Sequence, residues 1–167
     1  MPETIKPYDR AAAVAYAHRW AHSRNPAYYN FDAIGGDCTS FASQCLYAGA
    51  GVMNFTPTFG WYYRNIRDRA PAWTGVPYFY NFLTRTAASR GPFAVQAPLE
   101  QAEGGDFVQL RFAPNAPFTH TPVVVAVLGH TPEEILVAAH SEDSDFRPLS
   151  TYPYEALRLI HILGVRT

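Results

Sequence analysis

Of the two cysteines in the chain, Cys38 and Cys45, only the first stands where a thiol is readily activated. Gly35-Gly36-Asp37 forms a tight loop, and an apolar-periodic run follows through Phe41, Ala42, Cys45, Leu46 and Ala48, with Gly49 expected to stop it. Asp37, Thr39 or Ser40 offers a helix cap, so Cys38 falls on or next to the first helical residue. The unpaired amides and the positive end of the helix dipole at that point favour a thiolate. A cysteine so placed is a candidate nucleophile. The plainer reading, a small buried apolar side chain, suits Cys45 inside the helix. Seven residues of helix separate the two thiols by about 10 Å, beyond the roughly 7 Å Cα separation a disulfide spans, so no pairing between them is expected.

A nucleophilic cysteine needs a base, and the base needs a partner that orients it. His120 opens a β-branched run over 121–128, residues 129–133 make a turn, and His140 closes the returning run 134–139. The runs 120–128 and 132–140 are equal in length, which sets both histidines at the same end of one hairpin. Cross-strand neighbours on one face lie about 5 Å apart, so the spacing predicts a Cys38–His120–His140 set. Asp143, in the turn after His140, is an alternative third member. Asp145 reads as Asx-turn chemistry, and Arg147 as a partner for one of these carboxylates. His18 and His22 stand four apart on a helix and could share a metal, but no Glu lies between them. A solvated or packing face is the stronger reading, and no metal or other cofactor is expected.

The elements that must carry these groups follow from capping and periodicity. Asp9 caps a first helix running to about Ser23, and Asn25-Pro26 ends it. Residues 27–36 form a loop. Residues 51–77 show no clean period but concentrate Trp61, Tyr62, Tyr63 and Trp73, which fit equally as walls of a cleft or as core. A third helix is expected over 77–89, then strands at 107–112, 121–128, 134–139 and 158–165. Helices first and an antiparallel sheet second predict one α+β domain over residues 1–167.

A net charge of −1 without a basic stripe argues against nucleic acid as a partner. There is no apolar run long enough to predict a membrane span. Residues 1–10 lack the apolar segment of a signal peptide, which fits either a cytoplasmic protein or a domain trimmed from a longer secreted chain.

The segment Gly35-Gly36-Asp37-Cys38-Thr39-Ser40-Phe41-Ala42-Ser43-Gln44, with Gly105-Asp106-Phe107-Val108-Gln109-Leu110, Thr119-His120-Thr121 and Ala139-His140-Ser141, resembles the putative amidase domain of Gram-positive bacterial proteins. Tyr8-Asp9-Arg10, Tyr16-Ala17, Trp20, Arg24-Asn25-Pro26, Tyr28-Tyr29 and Gly164-Val165-Arg166 extend the likeness over nearly the whole chain. That domain is similar to papain-like cell-wall hydrolases such as NlpC-type peptidases and CHAP amidases. The resemblance implies a papain-like fold, with Cys38 as nucleophile, His120 as base and His140 as orienter. It also implies Tyr28 or Tyr29 at the oxyanion and substrate side, next to Asp37. The implied substrate is an amide or peptide bond, in peptidoglycan or a smaller molecule, hydrolysed through a thioester. Transfer of the same thioester to an amine, or a non-catalytic wall-binding module of the same fold, are the alternatives.

Overall fold

The computed structural model describes residues 4–167. A short strand, β1 (Ile5–Lys6), leads into helix α1 (Arg10–Trp20), whose cap is Asp9: its carboxylate accepts the Ala12 N–H at 3.0 Å. The helix ends at Trp20, short of the expected Ser23, so His22 lies beyond it. Its buried face is the stripe Ala13, Ala17, which with Ala21 lets it approach the next helix closely.

Helix α2 (Cys38–Ala50) is the hub, buried along nearly its whole length. Gly49 does not stop it. A Cβ at Gly49 would collide with the Tyr8 ring and lie 2.7 Å from the Asp9 carbonyl, so this glycine permits close packing inside the helix. The stop comes at Gly51, which takes the left-handed conformation (φ 72°) and returns its N–H to the Tyr47 carbonyl.

The aromatic stretch holds a two-stranded ribbon, β2 (Tyr63–Asn65) with β3 (Asp68–Arg69), and a helical turn, α3 (Pro71–Thr74). Trp61 and Trp73 are fully buried, their ring centroids 5.0 Å apart, and Tyr28 stacks on Trp73 at 5.7 Å. These tryptophans, with the buried Tyr62, are core rather than cleft wall. Burial of such rings removes the largest apolar areas available from water, which decided between the two readings. Helix α4 (Val76–Leu83) is shorter than the expected 77–89. Beyond it, the Arg85 guanidinium donates to the carbonyls of Phe82, Ser89 and Pro92 and folds the chain back into a strand that the sequence did not predict, β4 (Gly91–Ala97).

The remaining strands are β5 (Phe107–Arg111), β6 (Val123–Val127), β7 (Ile135–Ala139), β8 (Ser144–Pro148) and β9 (Ala156–Arg166). All pairings are antiparallel, in the order β1-β9-β5-β6-β7-β8, with β4 also on β9. The fold is mixed α/β. Alternation along β6 sends Val123 and Val125 to the helical layer and Val124 to a second cluster with Val108, Leu110, Val137 and Leu149. Both faces are covered, which is why this strand reads as a continuous apolar run. Among the described residues no helix is long and apolar enough to cross a membrane.

The Tyr8-Asp9-Arg10 and Gly105-Asp106 motifs meet in this framework. Tyr8 donates its hydroxyl to the Gly105 carbonyl at 2.8 Å. The buried Asp106 carboxylate accepts from Arg10, from the Ile162 N–H and from the Glu103 N–H, and lies 2.8 Å from the His161 ring. These residues join the start of α1 to the sheet and hold β5 in place.

Candidate active site

Cys38 is the first residue of α2, and its thiol is buried with Sγ 3.7 Å from the Thr39 hydroxyl and 3.9 Å from the Thr119 carbonyl. The Thr39 hydroxyl in turn lies 3.2 Å from that of Thr121. The helix start is thus seated against the chain segment 119–121, whose central residue is His120. That segment is fixed from its other side by β5: the Thr119 N–H donates to the Leu110 carbonyl, and the Leu110 N–H to the His120 carbonyl. The His120 ring faces a cleft of about 350 Å³ lined also by Thr119, Ser141, Glu142, Arg147 and Tyr152, with its centroid 5.4 Å from that of Tyr152.

Electrostatics leave both groups neutral at rest. Burial pushes the Cys38 thiol above its ordinary value, with the Asp37 charge acting the same way. Hydrogen bonds from Thr39 and from the Thr121 backbone oppose the rise. Burial, and then the positive charge of Arg147, lower the His120 imidazole to about 4. A neutral thiol and a neutral imidazole do not make a standing thiolate–imidazolium pair.

Asp37 does not cap α2. Its Oδ1 accepts the Phe31 N–H at 2.9 Å and its Oδ2 lies 2.5 Å from Nδ1 of His140, while Arg24 approaches at 3.6 Å. The first-turn amides of α2 are therefore left without a side-chain cap at the point where an oxyanion would form.

The expected hydrogen bond between His120 and His140 is not made. His140 is buried, stacked on Phe41 at 3.9 Å, with Nδ1 on Asp37 and Nε2 2.7 Å from the Trp20 carbonyl. The carbonyl can only accept, so Nε2 carries a proton. The cause of the divergence is register. Val123 stands opposite Ala138, one residue off the equal count, with a bulge between Val124 and Ala126. A slip of one residue exchanges faces, so Ser141 shares the cleft with His120 while His140 turns beneath α2.

The other proposed residues are likewise engaged elsewhere. Asp143 pairs with Arg24 at 2.8 Å, and that bond holds its carboxyl below the ordinary range. Arg24 also binds Asp32, so the loop before Cys38 is clamped to the end of β7. Tyr28 packs against Tyr63 and Trp73, and the Tyr29 N–H donates to the Tyr63 hydroxyl, neither bonding to Cys38 among the described residues. His18 binds Asp145 at 2.8 Å and stacks on Phe146. Among the described residues no group of three metal-ligating side chains converges. Both cysteines are free.

Tyr152 and Ser141 are cleft residues that the sequence reading passed over. Ser141 faces the cleft only through the β6–β7 register, and Tyr152 follows the edge strand β8, so no residue type or spacing marks either.

Comparison with known proteins finds a relative in Bacillus subtilis strain 168, the "Uncharacterized protein YhbB", 35% identical over 143 residues. The match covers 84% of this chain and 43% of the relative, so the chain spans less than half of that protein's length. No solved structure matches the chain. The family model described as "Putative amidase domain" matches residues 7–163, from just after β1 to within β9, and the chain belongs to that family.

Proposed function

We propose that this chain is a cysteine-dependent hydrolase of amide bonds, with Cys38 as nucleophile and His120 as base, acting on peptide bonds of peptidoglycan. Membership of an amidase family supports amide hydrolysis in general. The observation that supports the cysteine mechanism is the seat of the Cys38 thiol against the backbone of Thr119, the residue next to His120, which itself lines a cleft. The helix-start cysteine beside a histidine that precedes a sheet strand also supports a papain-like arrangement, related to NlpC peptidases and CHAP amidases, within one domain.

In this mechanism His120 takes the Sγ proton as sulfur attacks the amide carbonyl. The free first-turn amides of α2 receive the negative oxygen. Collapse of the tetrahedral intermediate breaks the C–N bond, and His120 returns the proton to the departing amine. Water then attacks the thioester, giving its proton to His120. The acid leaves and the thiol is restored. His140 acts as a positioning residue: it holds Asp37, and through it the backbone at Cys38.

The test is trapping of the acyl-enzyme. Purified peptidoglycan peptides are mixed with wild type and with Cys38→Ala, quenched in acid, and intact masses measured. The expected result is an acyl adduct mapped to Cys38, released with hydrolysis of the amide. Equal hydrolysis by Cys38→Ala overturns the reading.

A further inference from the structure

Arg147 and Tyr152 form a feature of the cleft that the steps above do not use. The Arg147 guanidinium lies flat on the Tyr152 ring, 3.6 Å from its centroid. Its Nε donates to the Thr151 hydroxyl at 2.7 Å and Nη2 to the Thr151 carbonyl at 3.2 Å. Nη1 has a looser neighbour, the Glu142 carboxylate at 3.7 Å. Arg147 is thus fixed along one edge and stacked on one face, with its outer edge toward the cleft, an arrangement that presents a planar donor pair to an anion.

Three further observations bear on what it meets. The Glu142 side chain is 87% exposed, so it sits near Nη1 without being held there. Ser141 and Glu142 both adopt positive φ (63° and 59°), a left-handed pair of non-glycine residues at the cleft rim. They lie in the tight turn joining β7 to β8, where paired positive φ is hairpin geometry, and this turn sets the Glu142 carboxylate near Arg147. The Tyr152 hydroxyl is buried in the same wall without a well-formed hydrogen bond, its nearest polar neighbours being Ser144 and Arg147. A half-satisfied guanidinium held flat on that ring fits a ligand oxygen.

We infer that Arg147, with Tyr152, is a specificity site for a free carboxylate on the substrate, and that Glu142 occupies its place in the empty enzyme. The substrate class is then an amide that carries a carboxylate within a few bonds of the carbonyl attacked by Cys38. The inference rests on the hydrolase reading for its meaning, but its test does not. Arg147 stays charged while His120 stays neutral, so the pull on an anion that displaces Glu142 does not depend on protonating the base.

The experiment is a binding titration followed through the His120 ring signals by NMR. The probes are N-acetylalanine, which has a carboxylate, and N-acetylalanine amide, which does not. In wild type the acid is expected to shift the His120 signals saturably, and the amide at least about tenfold more weakly, as befits loss of a charged hydrogen bond. Arg147→Gln is expected to bring the acid down to the level of the amide, and Arg147→Lys to keep part of the preference. Glu142→Gln should tighten binding of the acid about threefold, in the range of an exposed ion pair. Equal binding of the two probes by wild type, or no response to either, overturns the proposal without needing a variant to fold. Loss of hydrolysis in Cys38→Ala with the carboxylate preference intact leaves both readings standing. A preference intact beside unchanged hydrolysis in Cys38→Ala removes the mechanism and keeps the anion site.

Discussion

Two histidines stand at the same end of the β6–β7 hairpin in opposite circumstances. His140 lies under the start of α2 with both ring nitrogens committed, one to Asp37 and one to the Trp20 carbonyl, and with Phe41 against its face. His120 is also largely buried, yet among the described residues its ring makes no hydrogen bond; it looks into a cleft past Tyr152. A buried polar group with every partner in place rigidifies its surroundings. One left open costs stability and is free to exchange a proton. The contrast separates a knot that builds the site from the base proposed to work in it, although the two residues are of the same type and close in the fold.

The comparison breaks first at activity. Cys38→Ala is expected to lower amide hydrolysis by about 10⁴-fold or more, as removal of a nucleophile does, with an unchanged urea midpoint. His120→Ala should lower kcat by about 10²–10⁴-fold and change stability at neutral pH little, because the ring makes no hydrogen bond that the fold depends on. Circular dichroism melts alongside the assay check both.

His140→Ala should show the reverse pattern. It strands the buried Asp37 carboxylate, and losses for breaking such pairs run at about 3–5 kcal/mol. Urea unfolding reads the loss directly, and residual activity in the folded fraction should exceed that of His120→Ala.

A smaller effect sharpens the distinction through pH. His120 is held at about 4 in the folded chain against an ordinary 6.5, so between those values the unfolded chain binds the extra proton. Stability should therefore be complete above about pH 6.5 and fall, by roughly 3 kcal/mol at most, as pH drops toward 4. His120→Gln should flatten that slope while other groups keep theirs; an unchanged slope would show that His120 is not the group responsible. Least of all, Asp143→Asn should cost less than about 1 kcal/mol, since its bond with Arg24 is partly exposed, and should leave kcat unaltered.

Much of this was readable from local sequence, and the limits have physical causes. Cys38 at a helix start and the β6–β7 hairpin follow from loop glycines and a β-branched run broken by a turn. The one-residue register offset does not: it depends on a bulge between Val124 and Ala126, and it alone decides which histidine faces the cleft. Strand β4 was invisible because its partner β9 lies over sixty residues away in sequence (Val95 opposite His161). Strand β8 was read as a turn because its residues are polar, as befits the edge of a sheet. Asp37 looked like a helix cap, but a better partner, His140, arrives from residues 103 positions away.

The claim that Cys38 and His120 form the reactive couple is tested most directly by alkylation. Wild type, His120→Ala and His140→Gln are treated with iodoacetamide across pH 5 to 9, and labelling of each cysteine is followed by peptide mass. Cys38 should label and the buried Cys45 should not. Below pH 8 the Cys38 rate should fall about tenfold or more in His120→Ala, with base assistance gone, while folded His140→Gln keeps most of it. A Cys38 rate that is indifferent to His120, or that collapses only with His140, would contradict the assignment.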